Sequence, residues 1–90
     1  MTKVLIPQPL RKHTDNKSTL DLKGESVDEI LKELEINYPA LKERLRDDEG
    51  NLRRFINIFV NGDDIRLKKG ENTPVEDNDE VSILPAIAGG

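Results

Sequence analysis

The 90-residue chain has no cysteine, and that absence removes a disulfide framework, a thiol nucleophile and thiolate metal ligands together. Any chemistry of its own is oxygen and nitrogen chemistry. A long apolar run is missing as well: Met1-Thr2-Lys3-Val4-Leu5-Ile6 falls short of the roughly 7 to 15 apolar residues of a signal peptide, and no stretch approaches the roughly 18 that cross a bilayer. The chain reads as soluble and cytoplasmic, without membrane contact, and as a monomer on its own. Nor is there a basic stripe. With 18 acidic residues interspersed among 14 basic ones and a net charge of -4, nothing favours a nucleic-acid partner, and the balance leans toward a partner with a basic surface. No internal repeat, linker or low-complexity tract divides the sequence, so it reads as one domain. Burying only about 60% of its unfolded surface, such a domain has a modest core and little room for a catalytic pocket. Charged residues, at 36%, exceed the usual quarter or so; a heat-adapted source and a small domain with much surface both produce that excess.

What is present organises in order. Val4-Leu5-Ile6 has the composition of a short strand closed by Pro7 and Pro9, since proline removes ladder donors. Lys12 to Lys17 is polar and predicts a hairpin loop, in which His13 is a solvated residue and not a ligand or base. Leu20, Asp21 and Leu22 alternate as a half-buried second strand ended by Gly24. Ser26 and Glu29 have the spacing of a capping box, and Val27, Ile30, Leu31 and Leu34 follow on one helical stripe. Asp28, Glu29, Lys32, Glu33 and Glu35 occupy the opposite face, which is expected to meet solvent; paired carboxylates there are not an acid/base pair. Asn37 and Pro39 stop the helix. Tyr38, Leu41 and Leu45 predict a second short helix. The run Asp47-Asp48-Glu49-Gly50-Asn51 lacks the alternating oxygen ligands and distal glutamate of a calcium loop and reads as a turn.

Phe55 to Val60 is the strongest strand, and Asn61-Gly62 is the preferred dipeptide of a tight hairpin turn, with Ile65 in the returning strand. Either Ile56, Ile58 and Val60 face the helix, or Phe55, Asn57 and Phe59 do. Burying Asn57 without a partner costs roughly 1 to 3 kcal/mol, which favours burying the three β-branched residues. Phe55 and Phe59 are then left on the outer face of the sheet, unusual unless something covers them. Lys69-Gly70 and Asp77-Asn78-Asp79 are turns. Glu80 to Leu84 forms the last strand, with Val81 and Ile83 inward and Leu84 outward. Strand, strand, helix, short helix, strand, short strand, strand is an α+β order: a mixed sheet packed on one main helix plus a short one, the β-grasp or ubiquitin-like arrangement. Its outward apolar residues, Leu5, Phe55, Phe59 and Leu84, with Pro85 beside them, form a candidate partner interface.

The chain stops on Gly89-Gly90, after the apolar stretch Leu84-Pro85-Ala86-Ile87-Ala88. Residues 1–85 are expected to form the domain and 86–90 a flexible tail. Two glycines give its end φ/ψ values closed to other residues and no Cβ to collide with the walls of a narrow slot. Five residues extend roughly 17 Å, enough to bring the carboxylate of Gly90 to a buried centre, such as the α-phosphate of ATP, while the body stays outside.

These strings resemble the ThiS/MoaD-type sulfur-carrier family, small β-grasp domains ending in Gly-Gly. Within it the sequence is most similar to the CysO-type carriers of cysteine biosynthesis. The likeness is carried by Ile6-Pro7 with Leu10-Arg11 and Thr14, by Arg54-Phe55-Ile56-Asn57-Ile58-Phe59-Val60-Asn61 with Asp64-Ile65-Arg66, and by Ile83 to Gly90. The resemblance implies a substrate and not an enzyme, needing neither metal nor cofactor. Gly90 is the adenylation and thiocarboxylate site, and Ile87, Ala88 and Gly89 are what a partner reads. It implies an ATP-dependent adenylating and sulfur-transfer enzyme as one partner and a pyridoxal-phosphate-dependent cysteine synthase as another, with a metallopeptidase releasing the cysteine. Delivery to molybdopterin or thiamine thiazole synthesis, or attachment to other proteins as a ubiquitin-like modifier, are the alternatives; a plain interaction domain with an inert tail is a third.

Overall fold

Ser26 begins the element on which the rest is laid. In the computed structural model, which describes residues 1–85, its side-chain oxygen accepts a hydrogen bond from the backbone N–H of Glu29 at 3.3 Å. The Glu29 carboxylate returns the contact one residue earlier than the capping box predicts, accepting from the N–H of Glu25 at 3.2 Å. Helix α1, Val27–Asn37, follows. Its stripe of Val27, Ile30, Leu31 and Leu34 is wholly buried, and each such side chain contributes roughly 1.5 to 3 kcal/mol of apolar burial. A second helix, α2, Ala40–Leu45, adds Leu41 and Leu45 to the same core.

The sheet covers that core. Strands β1, Thr2–Leu5, and β2, Thr19–Leu22, form the antiparallel hairpin the sequence predicts. Strand β3, Ile56–Val60, turns into the two-residue β4, Asp63–Asp64, and β5, Glu80–Pro85, completes the sheet. The spatial order is β2-β1-β5-β3-β4, with β1 and β5 parallel and the other pairs antiparallel. This mixed five-stranded sheet over a helix is the β-grasp fold. The parity of β3 is the one expected: Ile56, Ile58 and Val60 are buried, as are Val81 and Ile83 of β5. Asn61 and Gly62 carry φ of 51° and 88°, the left-handed pair a two-residue hairpin turn requires. Asn61 also ties that turn to β5, donating from Nδ2 to the Asp79 carboxylate at 2.8 Å and accepting from the Glu80 N–H at 2.9 Å.

Four local readings change. The β1–β2 connection is not an open polar loop: Pro7 leads into a 3₁₀ turn over Gln8–His13 that buries Leu10. Thr14 is buried behind it, its hydroxyl within reach of the carbonyls of Arg11 (3.2 Å) and Lys17 (3.0 Å). His13 is accordingly half-buried rather than solvated, and its Nε2 is buried with no hydrogen-bond partner among the described residues. Ile65 lies in a 3₁₀ turn, Ile65–Leu67, and not in the returning strand, because the Asp64 carboxylate accepts from the Arg66 N–H at 2.8 Å and ends β4 after two residues.

The polar face of α1 is the fourth. Glu35 does not simply meet solvent. Its side chain is 10% exposed and accepts from Nε of Arg46 at 2.9 Å. Arg46, itself buried, also donates through Nη1 to Glu71 at 2.7 Å and to the Gly50 carbonyl at 3.2 Å, and stands 4.0 Å from Asp28. One guanidinium thus joins α1, the end of α2, the turn at Gly50 and the 3₁₀ turn Gly70–Asn72. Burial alone would lower the Arg46 pKa, but the hydrogen bonds to Glu35 and Glu71 outweigh it and hold the group above the ordinary arginine value.

Candidate functional site

The outward parity of the sheet brings three of the proposed interface residues together. Leu5 pairs with Ser82 across β1 and β5, and Ser82 pairs with Phe59 across β5 and β3, so Leu5 and Phe59 flank one small residue in a single cross-strand row. Side chains so opposed stand about 4.5 to 5.5 Å apart at Cβ. Leu84 follows Ser82 by one outward step and pairs with Asn57. It is 50% exposed, while Leu5 and Phe59 are half-buried. The result is a small apolar face on the solvent side of the three inner strands β1, β5 and β3, ending at the last described residues of β5.

Phe55 does not belong to that face. A turn closed by the Ile56 N–H on the Arg53 carbonyl at 3.0 Å precedes β3, so the strand starts one residue later than the sequence suggests. Phe55, 48% exposed, instead lines a cleft at the end of the sheet with Pro9, Leu10, Ile56 and Pro85. The five interface residues are therefore split between two adjoining surfaces, Leu5, Phe59 and Leu84 on the sheet and Phe55 and Pro85 in the cleft.

A polar frame borders the apolar row. Asp64 pairs with Phe59 across β3 and β4, and its carboxylate receives Arg66 at 2.9 Å. The same guanidinium donates to the side-chain oxygen of Asn57, which answers the need of that half-buried amide for a partner. The hydrogen bonds from Arg66 hold the Asp64 carboxyl below its ordinary value. Just past the same end of β3 the Asp79 carboxyl is lowered by its hydrogen bond from Asn61 and then by the Glu76 N–H. Sequence reasoning missed both sets, although Asn57, Asp64 and Arg66 stand in the strings that carry the family resemblance.

Among the described residues no group of three or more His, Asp or Glu side chains is placed to hold a metal ion, and no helix is long and apolar enough to cross a membrane. The expectations placed on Ile87, Ala88, Gly89 and Gly90 lie outside the described residues.

The comparisons with known proteins agree with this geometry. The model of the ThiS family matches residues 4–90, and the chain belongs to that family of small β-grasp proteins. In particular, it is 43% identical over 89 residues to the sulfur carrier protein CysO of Mycobacterium tuberculosis, covering 97% of this chain and 96% of that one. A chain in the crystal structure of the Amycolatopsis orientalis BexX/CysO complex superposes with a TM-score of 0.91 at 41% identity, each chain covered in full (100%). The solution structure of small archaeal modifier protein 1 from Methanosarcina acetivorans superposes at 0.87 with 38% identity, covering 99% of this chain and 95% of that one.

Proposed function

We propose that the chain is a sulfur carrier whose Gly90 carboxylate is adenylated, converted to a thiocarboxylate and used to donate sulfur for cysteine biosynthesis. The observation that carries this reading is the near-full-length identity of 43% to CysO, within a family match that runs through Gly89 and Gly90. A carboxylate at neutral pH is a poor electrophile. Its oxygen attacks the α-phosphorus of ATP, a P–O bond breaks, and pyrophosphate leaves. A sulfide equivalent then adds to the acyl carbon, and AMP departs with the C–O bonding pair. The protein ends with a nucleophilic sulfur in place of an oxygen. ATP and the sulfur source are the partner's substrates; the chain supplies a bare stem and a surface to grip.

The apolar row of Leu5, Phe59 and Leu84 supports that division of labour. A partner seated on it holds the body one residue from Pro85, and five residues of extended chain carry Gly90 roughly 17 Å further. Ile87, Ala88 and Gly89 are the positions its slot reads. On a pyridoxal-phosphate-dependent cysteine synthase the sulfur then bonds to the β-carbon of an activated serine, whose activating group leaves; the Gly90 acyl group shifts from that sulfur to the amine, and a metallopeptidase hydrolyses the resulting amide, freeing cysteine and restoring the carboxylate.

Intact mass tests each stage. Incubation with an adenylating enzyme, ATP and sulfide should exchange one oxygen of the carrier for sulfur, and a cysteine synthase with activated serine should then add a cysteine residue at Gly90. If molybdopterin or thiazole synthase takes the sulfur and cysteine synthase does not, the branch is wrong and the carrier stands. The likeness to an archaeal modifier protein favours a second reading, in which the activated glycine is joined to lysine amines. Lysines of other proteins carrying the Gly-Gly end would identify it.

A further inference from the structure

We infer that the cleft beside Pro85 receives an acidic rim on the adenylating enzyme that takes the tail. This deepens the carrier reading and rests on it. The chain as a whole carries a net charge of -4, which by itself suggests a basic partner surface. The charge is unevenly placed. Lys12, Arg44, Arg53 and His13 line the cleft where the last described residue sits, against a single carboxylate, Glu43. Among the described residues none of the cations Lys12, Arg44 and Arg53 is in an ion pair.

Arg53 is also held in place. Its Nε donates to the Glu43 backbone carbonyl at 3.0 Å, which fixes the guanidinium plane while its two Nη groups have no partner among the described residues. Phe55 gives the cleft an exposed aromatic wall, and arginine beside an aromatic is the composition of interface anchors. Carboxylates and carbonyls on a docking protein answer Lys12, Arg44 and the free Nη groups of Arg53 together. Overall repulsion between two acidic proteins does not outweigh this, because exposed charges are screened beyond about 8 Å at physiological salt. At contact the cleft's own cations decide. A nucleic acid would meet the acidic remainder of the surface within a few nucleotides.

The test is carrier-dependent ATP–pyrophosphate exchange by the adenylating enzyme of the same organism, with the full-length carrier varied across a range of sodium chloride. The double variant K12E/R44E, both positions exposed and outside the core, should raise the KM for the carrier about tenfold at low salt and flatten its salt dependence, the effect lying in KM. Reversing acidic residues around the enzyme's tail slot should restore the wild-type value. Unchanged KM and salt response in K12E/R44E and in R53E, with folding verified by circular dichroism, would overturn the cleft assignment and leave the carrier reading standing. A rise in KM for ATP with none for the carrier would overturn it too, assigning the cations to the nucleotide. No exchange with the wild-type carrier would remove both readings.

Discussion

Two regions of this small protein use the arginine side chain to opposite ends. On the helix side, Arg46 is buried and fully engaged by Glu35, Glu71 and the Gly50 carbonyl. Beside Pro85, Arg44 and Arg53 stand open around an exposed phenylalanine. The first arrangement joins four segments that share no regular hydrogen-bond ladder. The second leaves donors and apolar surface without partners among the described residues. A group spent on holding the fold is unavailable for recognition, so the difference separates residues whose loss should unfold the protein from those whose loss should isolate it from partners.

That separation is easiest to break at the tail. Gly89→Val, or an extra residue after Gly90, should abolish adenylation in a pyrophosphate-exchange assay with unchanged thermal unfolding; a fully activated Gly89→Val carrier would refute the role given to the bare stem. Next in size is Arg46→Ala. Removing one partner of a buried ion pair costs about 3 to 5 kcal/mol, here by leaving Glu35 buried without its cation. Urea unfolding should show that loss, while exchange activity per folded molecule stays at wild type. Replacing Arg46 and Glu35 together by Met and Leu should recover most of the stability, since the buried carboxylate is then gone and Glu71, whose side chain is 32% exposed, is hydrated instead.

Phe59→Ala should weaken binding of the adenylating enzyme on the order of thirtyfold, the effect of an interface anchor worth about 2 kcal/mol, and change stability little. A large stability loss with binding intact would make Phe59 part of the fold-holding region. Ser26→Ala, loss of the α1 cap, should cost about 1 kcal/mol of stability with no effect on partners. The smallest effect concerns pH. The folded-state pKa of Asp79 is depressed by Asn61 and the Glu76 N–H, so its contribution is present above the unfolded carboxylate value and is lost as pH falls through the folded one. Asp79→Asn should flatten the acid limb of the stability curve slightly, as followed by chemical denaturation at stepped pH.

Local regularities account for what was legible in the sequence. The stripe Val27, Ile30, Leu31 and Leu34 has only one way to be buried, β-branched residues alternating with Asn57 and Phe59 fix a strand's parity, and Asn61-Gly62 fixes its turn. The outward set of Leu5, Phe59 and Leu84 followed from that parity alone. Contacts between distant segments were not legible. Nothing in the charged run from Lys42 to Glu49 distinguishes Arg46 from Arg44, yet one is buried beside Glu35 and Glu71 and the other is exposed. Phe55 shares the outward parity of its neighbours but is carried off the sheet by the turn at Arg53. Pro7 and Pro9 announced the end of a strand; that they open a 3₁₀ turn burying Leu10 and enclosing His13 depended on what packs above it.

The place of β5 bears on how the protein is made. The strand that completes the sheet is the last one synthesised, yet it lies in the centre, with Lys3 opposite Glu80 and Ile58 opposite Ile83. Until β5 inserts, β1 and β3 have no common neighbour, and the loop to be closed spans nearly the whole chain, a slow kind of nucleus to form. A nascent chain that stalls before Glu80 therefore lacks the row of Leu5, Ser82 and Phe59 and cannot present the apolar face. On the proposed docking, grip on the body would serve as a check on completeness: a partner that holds this face would hold a chain in which β5 has been made, and ribosome-bound chains cut before residue 80 should remain protease-sensitive throughout.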